Sequence, residues 1–148
     1  ELFKVAATHQ IPVYCLGAAP GVAQRAIDNV SAQVGALNIA GIHDGFFDSA
    51  EEQEIIKSIA ESKAKLVFVA LGVPKQEQWI AEKLSHLDGV VAIGIGGSFD
   101  VLAGNIPRAP EWMQQNRLEW LYRLYLEPQR IGRMLAIPKF MWTVIRNK

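Results

Sequence analysis

At 148 residues, half of them hydrophobic and a fifth charged, the chain has the size and make-up of one globular domain with a sizeable core. A single cysteine excludes an internal disulfide, the three histidines do not combine with it at metal-ligand spacing, and no stretch approaches the ~20 apolar residues that span a bilayer. The formal net charge of zero conceals an asymmetry: residues 1–106 carry seven Lys/Arg against twelve Asp/Glu, a balance of −5, and residues 107–148 carry eight against three, a balance of +5.

Leu2, Phe3, Val5 and Ala6 stand at helical spacing, so the chain opens inside a helix, without a Met and without the apolar core of a signal peptide. It is expected to be a fragment. Four short apolar runs then predict strands at Val13–Leu16, Leu37–Ala40, Leu66–Leu71 and Val90–Ile95. Their near-continuous hydrophobicity suits a parallel sheet covered on both faces. The lone Cys15 lies in the first run, as a small buried hydrophobe would.

Helical patterns separate the runs. Pro20 opens one, with Val22, Ala26, Ile27 and Val30 as its stripe. Ser49 and Glu52 have capping-box spacing for the next, with Ile55, Ile56 and Ile59 inward. Pro74 opens a third, with Trp79, Ile80 and Leu84 inward. The β-α alternation implies right-handed crossovers and an α/β fold: an open, Rossmann-like, mostly parallel sheet with helices on both faces. A short helix over Ser98–Ala103 follows, then a turn-rich connection, a long helix from Glu111 to Leu126 and a final helix from Pro128 to about Ile145. The expected domains are 1–106, an α/β nucleotide-sugar-binding body that is N-terminally incomplete, and 107–148, a basic helical appendage.

In such sheets ligands sit beyond the carboxyl ends of the strands. Those ends run into LGAAPG, GIHDGFF, ALGVPKQE and IGGSFD. Their glycines (Gly17, Gly45, Gly72, Gly96 and Gly97) admit close approach of a ligand to the backbone. All four loops are therefore expected to face one cleft. GIGGSFD is not a dinucleotide fingerprint, since its third glycine would fall at Phe99, and LGVPKQE lacks the glycines of a Walker loop.

Asp100 follows the glycine turn, either as a first-turn carboxylate that stabilises its helix or as a cleft group for a sugar or base hydroxyl. Gln76, just after Pro74, is either a solvated amide or a ligand contact, and His43 sits in a cleft loop. The arginines are sharper. Arg130 and Arg133 lie three apart on one helix face, and Arg123 stands seven before Arg130, so the three converge across Pro128. Guanidinium forks suit phosphate oxygens. Trp112, Trp120, Trp142, Tyr122 and Tyr125 serve either as core or as the aromatic belt of a surface resting in lipid headgroups.

GVPKQE with Trp79, then GIGGSFDVLAGNIPRAPEW, LEWLYRL and EPQRIGR, together with CLGAAPG and HDGFF, strongly resemble the WecG/TagA/CpsF family of bacterial glycosyltransferases over essentially the whole chain. The resemblance implies transfer of a sugar, N-acetylmannosamine or a related hexose, from a UDP donor to an undecaprenyl-diphosphate-linked acceptor, with inversion, in teichoic acid or cell-surface polysaccharide synthesis. It implies no metal and no other cofactor, and the chain has no DxD motif. Residue by residue, Lys75, Gln76 and Asp100 match family cleft positions, and Phe46 stands near the nucleotide base where Tyr is common. Arg123, Arg130 and Arg133 match the arginines of a C-terminal appendage that covers the site and seats on the cytoplasmic face of the membrane.

The family's candidate base is an aspartate in a DG-type motif upstream of Glu1, and Asp44-Gly45 belongs instead to the HDGFF loop. The general base is thus expected outside this chain, which alone should transfer little. A non-catalytic nucleotide- or anion-binding α/β module is the alternative. Nucleic acid is disfavoured as a partner, because the basic residues fit no nucleic-acid fold motif. Apolar surface on the first helix and the sheet edge makes self-association possible.

Overall fold

Strands and helices alternate along the chain as the hydrophobic pattern requires. The computed structural model describes residues 1–107 and 109–126, apart from the side chains of Trp120 and Arg123. The chain divides into two units, Glu1–Pro107 and Arg108–Lys148.

The first unit runs through α1 (Leu2–Thr8), β1 (Val13–Gly17), α2 (Val22–Val34), β2 (Ile39–His43), α3 (Ser49–Glu61), β3 (Leu66–Ala70), α4 (Lys75–Trp79), a π-helical turn (Ile80–Leu84), β4 (Val91–Gly94) and α5 (Ser98–Leu102). Its four strands form an all-parallel sheet in the order β2-β1-β3-β4. The two central strands, VYCLG and LVFVA, are buried along their whole length. Their side chains alternate between two cores, as the two-residue period of a strand demands. Val13, Cys15, Leu66, Phe68 and Ala70 face one core with Ala6, Ala26, Ile27 and Phe99 of α1, α2 and α5. Tyr14, Leu16, Val67 and Val69 face the other with Ile55, Ile59, Trp79 and Leu84 of α3, α4 and the π-helical turn. Burial of each such aliphatic or aromatic side chain contributes about 1.5–3 kcal/mol. The result is a parallel sheet covered by helices on both faces, the Rossmann-like arrangement that the sequence predicts. Burial also pushes the Cys15 thiol up to about 12.

Several boundaries differ from the sequence expectation, each for a local reason. The second strand is Ile39–His43 rather than Leu37–Ala40, because pairing with β1 sets Ile39 beside Val13 and His43 beside Leu16. Gly41 lies under the Tyr14 ring, where an added Cβ would sit 2.8 Å from Cδ2. Pro20 stands in the turn before α2, whose N-cap is Gly21. The capping box of α3 is one residue earlier than Ser49/Glu52. Asp48 Oδ1 accepts from the amides of Ala50 at 2.8 Å and Glu51 at 2.9 Å, and the Glu51 carboxylate accepts from the Asp48 amide at 3.1 Å. Asp and Ser are comparable N-caps; Glu52 is engaged instead by Trp79 and Lys83, which leaves the box to Asp48 and Glu51.

In the second unit the long predicted helix is two: α6 (Glu111–Gln115) and α7 (Glu119–Leu126). Asn116 Nδ2 donates to the Trp112 carbonyl at 2.6 Å, Arg117 adopts φ 58°, and the Leu118 amide reaches the Met113 carbonyl at 2.7 Å. These bonds close α6 with a left-handed residue and leave it no continuation. Among the described residues of the unit several large apolar side chains are exposed: Trp112 is 59% exposed and Tyr125 81%, with Leu121 and Leu126 also exposed. The predicted helix beyond Pro128 lies outside the described residues.

Candidate functional site at the carboxyl edge of the sheet

Strand order turns between β1 and β3: the chain leaves β1 toward β2 on one side and leaves β3 toward β4 on the other. Ligands favour that switch point in open α/β sheets. The loops there pack on one another. The Ala18 amide donates to the Ala70 carbonyl at 3.0 Å, and the Gly45 amide to the Ala18 carbonyl at 2.8 Å. Gly17, at φ 121°, would place a Cβ 2.8 Å from Ala70 Cα, and a Cβ on Gly45 would lie 3.2 Å from Gly17 Cα. These two glycines serve backbone-on-backbone packing, so the space expected for a ligand beside them is filled by protein. Gly96 is different: at φ 53° it has nothing within 4 Å of a would-be Cβ. Gly72, at φ 79°, turns the chain out of β3 and offers its carbonyl to the Gln76 amide at 2.8 Å. Gly97 is the N-cap of α5.

Gln76 is only 3% exposed, so it is not a solvated amide. Its Oε1 accepts from the Gly96 amide at 3.0 Å and its Nε2 donates to Glu77 Oε1 at 2.7 Å. Asp100, half-buried in the first turn of α5, accepts from Asn105 Nδ2 at 3.4 Å, and Asn105 Oδ1 in turn accepts from Arg25 at 3.4 Å. Phe46 is 73% exposed at the tip of the β2–α3 loop, where Asp44 Oδ1 holds its amide at 2.9 Å. The Lys75 ammonium lies 5.4 Å over the Phe47 ring. A cation over an aromatic face is modestly favourable even when exposed, as Lys75 is, and the contact sets it at the rim of this edge. His43 ends β2 rather than lying in a loop, with Nδ1 3.0 Å from the Asp44 carbonyl oxygen.

Glu52, released from the capping role, clamps α3 to the π-helical turn. Its carboxylate accepts from Trp79 Nε1 at 2.8 Å and pairs with Lys83 at 3.0 Å. The hydrogen bond from Lys83 holds the Glu52 carboxyl below its ordinary value of 4.5, aided by Trp79. A depression of about 240 Å³ opens between the start of α2 and the end of β2, lined by Gly21, Gln24, Ile42, His43 and Asp44 among others. Gly21 and Ile42 fall within the LGAAPG and GIHDGFF runs expected to face the cleft, whereas Gln24, in the first turn of α2, carries no sequence signal for it.

The structure thus gathers Gly72, Lys75, Gln76, Gly96, Gly97 and Asp100 along the ends of β3 and β4, and Gly17, Gly45 and Phe46 across the ends of β1 and β2. The side chain of Arg123 in α7, and Arg130 and Arg133 entirely, lie outside the described residues. Among the described residues no three His, Cys, Asp or Glu side chains gather as a metal site needs, and no helix is long and apolar enough to cross a membrane.

A model of glycosyl transferases named for WecG, TagA and CpsF matches residues 1–148, the whole chain. The chain belongs to the WecG/TagA/CpsF family. Its relatives include N-acetylglucosaminyldiphosphoundecaprenol N-acetyl-beta-D-mannosaminyltransferases from three sources. That of Bacillus subtilis strain 168 is 40% identical over 148 residues, which are 100% of this chain and 57% of the relative. That of Bacillus spizizenii is 42% identical over 137 residues, 92% of this chain and 52% of the relative. That of Staphylococcus aureus strain NCTC 8325 is 34% identical over 148 residues, 100% of this chain and 58% of the relative. The chain spans a little over half the length of these curated relatives. The family is one of glycosyl transferases, and it is these relatives, by name, that use an undecaprenyl diphosphate carrying N-acetylglucosamine.

Proposed function

We propose that the chain is the nucleotide-sugar-binding and membrane-facing part of an inverting transferase that moves N-acetylmannosamine, or a related hexose, from a UDP donor to a polyprenyl-diphosphate-linked N-acetylglucosamine. The observation that carries this is the 40% identity along the entire chain to a relative so named. The switch point between β1 and β3 supports it as the kind of edge where nucleotide ligands bind. In the transfer, an acceptor hydroxyl oxygen bonds to the anomeric carbon from the face opposite UDP. The bond from that carbon to the β-phosphate oxygen breaks, and UDP departs with the bonding pair. Arg123, Arg130 and Arg133 neutralise the diphosphate charge that develops, a role in which fixed cations lower the barrier. Asp100 and Lys75 orient the donor along the ends of β3 and β4, and Phe46 stacks on the base. The acceptor proton passes to a carboxylate that the proposal places in the part of the family's length beyond these 148 residues, so this chain alone transfers little.

Residues 107–148 form a basic appendage that seats on the inner face of the cytoplasmic membrane. Its +5 balance and the exposed Trp112, Leu121 and Tyr125 support this, since each basic residue near an anionic surface contributes about 1 kcal/mol.

UDP titration and a transfer assay, run on this chain and on the longest natural form that contains it, test the reading. UDP should bind both, and only the longer form should transfer. There Arg130→Ala should lower transfer roughly tenfold to a hundredfold, the loss of one charge-assisted contact of about 1.5–3 kcal/mol. No UDP binding by either form sinks the proposal; UDP binding without transfer by the longer form leaves an anion-binding module.

A further inference from the structure

Gln76 stands at a cleft position by family resemblance, yet both ends of its amide are engaged by protein. It is 97% buried, taken from its 3% exposure, and its amide is shared between two loops. Only a carbonyl oxygen can accept the Gly96 N–H, which fixes the orientation: Oε1 toward Gly96 at 3.0 Å, Nε2 toward Glu77 at 2.7 Å. The strand before that turn is shaped to the same side chain. Gly94 faces it so closely that an added Cβ would stand 2.6 Å from Nε2 and 3.0 Å from Cδ. Beyond the strands, β3 and β4 are joined by one backbone bond, from the Ile95 amide to the Val69 carbonyl at 2.8 Å. Past Ile95 the turn is closed on itself by Ser98, whose amide and hydroxyl both reach the Ile95 carbonyl, at 3.2 and 2.6 Å, and it is tied to the β3–α4 loop by the Gln76 amide; Gly96 turns there at φ 53° and leads into α5 and Asp100.

We propose that Gln76 is a positioning residue: it spans the β3–α4 and β4–α5 loops and holds the Gly96–Gly97 turn in its ligand-ready shape, through bonds that persist when ligand binds. This deepens the proposed nucleotide-sugar reading, and its functional meaning rests on that reading. A ligand that took over the Gln76 amide would open its bonds to Gly96 and Glu77; a positioning role keeps both when ligand arrives.

Amide hydrogen exchange of the ¹⁵N-labelled chain distinguishes the two. The Gly96 N–H should be protected in the free chain and equally or better protected when UDP is saturating. Gln76→Met keeps the volume and removes both polar ends. It should speed Gly96 exchange about tenfold, the equivalent of one ordinary hydrogen bond, shift the amide resonances of residues 96–100, and weaken UDP by a similar factor. Gly94→Ala should act in the same direction by pressing on Nε2, and should add nothing once Gln76 is Ala, because the two changes break one contact. Faster Gly96 exchange on UDP binding, or unchanged exchange and resonances in Gln76→Met, would overturn the proposal. If the unmodified chain does not bind UDP, the proposed function fails for this chain. The exchange of Gly96 in Gln76→Met and Gly94→Ala then still decides whether Gln76 holds the turn.

Discussion

Gly17, the last residue of β1, and Gly96, two residues past the end of β4, both have positive φ at the same edge of the sheet, yet they do opposite things. At Gly17 the missing side chain is replaced by the backbone of β3, with Ala70 pressed against the space a Cβ would take. At Gly96 that space is empty and the turn is held instead by a side chain, the amide of Gln76. One glycine is therefore a packing device at the centre of the fold. The other leaves the backbone open beside Asp100 and α5. A glycine-rich strand end does not mark a ligand site by itself; what fills the glycine's vacant volume decides.

Substitution can break this contrast in graded steps. Gly17→Ala should be the most damaging, because strain at φ 121° adds to overlap with Ala70. A loss of more than about 3 kcal/mol is expected in urea unfolding followed by circular dichroism. Gly45→Ala meets Gly17 Cα and Leu71 Cδ2 at 3.2 Å without positive φ, and its cost should fall to about 1–2 kcal/mol. Gly96→Ala meets nothing and should cost only the left-handed backbone, about 1 kcal/mol. If Gly96→Ala proved as harmful as Gly17→Ala, the contrast would collapse. The weakest lever leaves both glycines intact and loosens the edge from its flank. Glu52→Gln should cost about 0.5–1 kcal/mol at neutral pH, as a partly exposed ion pair does. Because the folded carboxyl sits below its ordinary value, its stabilisation is present above that value and disappears as pH falls through the folded one. Urea midpoints of the native chain and of Glu52→Gln should therefore differ at pH 7 and converge in acid.

The layered fold was legible because β1 and β3 are apolar at every position, and a strand with no polar face must be covered on both sides. The inward stripe of α2 was legible for the same reason. The start of β2 was not, since an edge strand with Gly41 in it shows its register only once Tyr14 lies across it. Two overlapping capping boxes, Asp48/Glu51 and Ser49/Glu52, are equivalent as local patterns. Trp79 and Lys83, far along the chain, engage Glu52 and settle the choice. The burial of Gln76 arises from a strand that begins fifteen residues later, at Val91, and no window around Gln76 contains it. The break at Arg117 depends on the Asn116 amide reaching back to Trp112, a competition that helical periodicity does not express.

Cys15 turns the middle of β1 into a clock. It is the only cysteine in the chain, it has no exposed surface, and its thiol is pushed up to about 12. A maleimide therefore has no thiolate to attack until the central strand separates from its neighbours. The labelling rate counts those openings directly, with no substrate, donor or membrane in the tube. Every variant above, from Gly17→Ala to Glu52→Gln, can be ranked by how often it lets one sulfur see water.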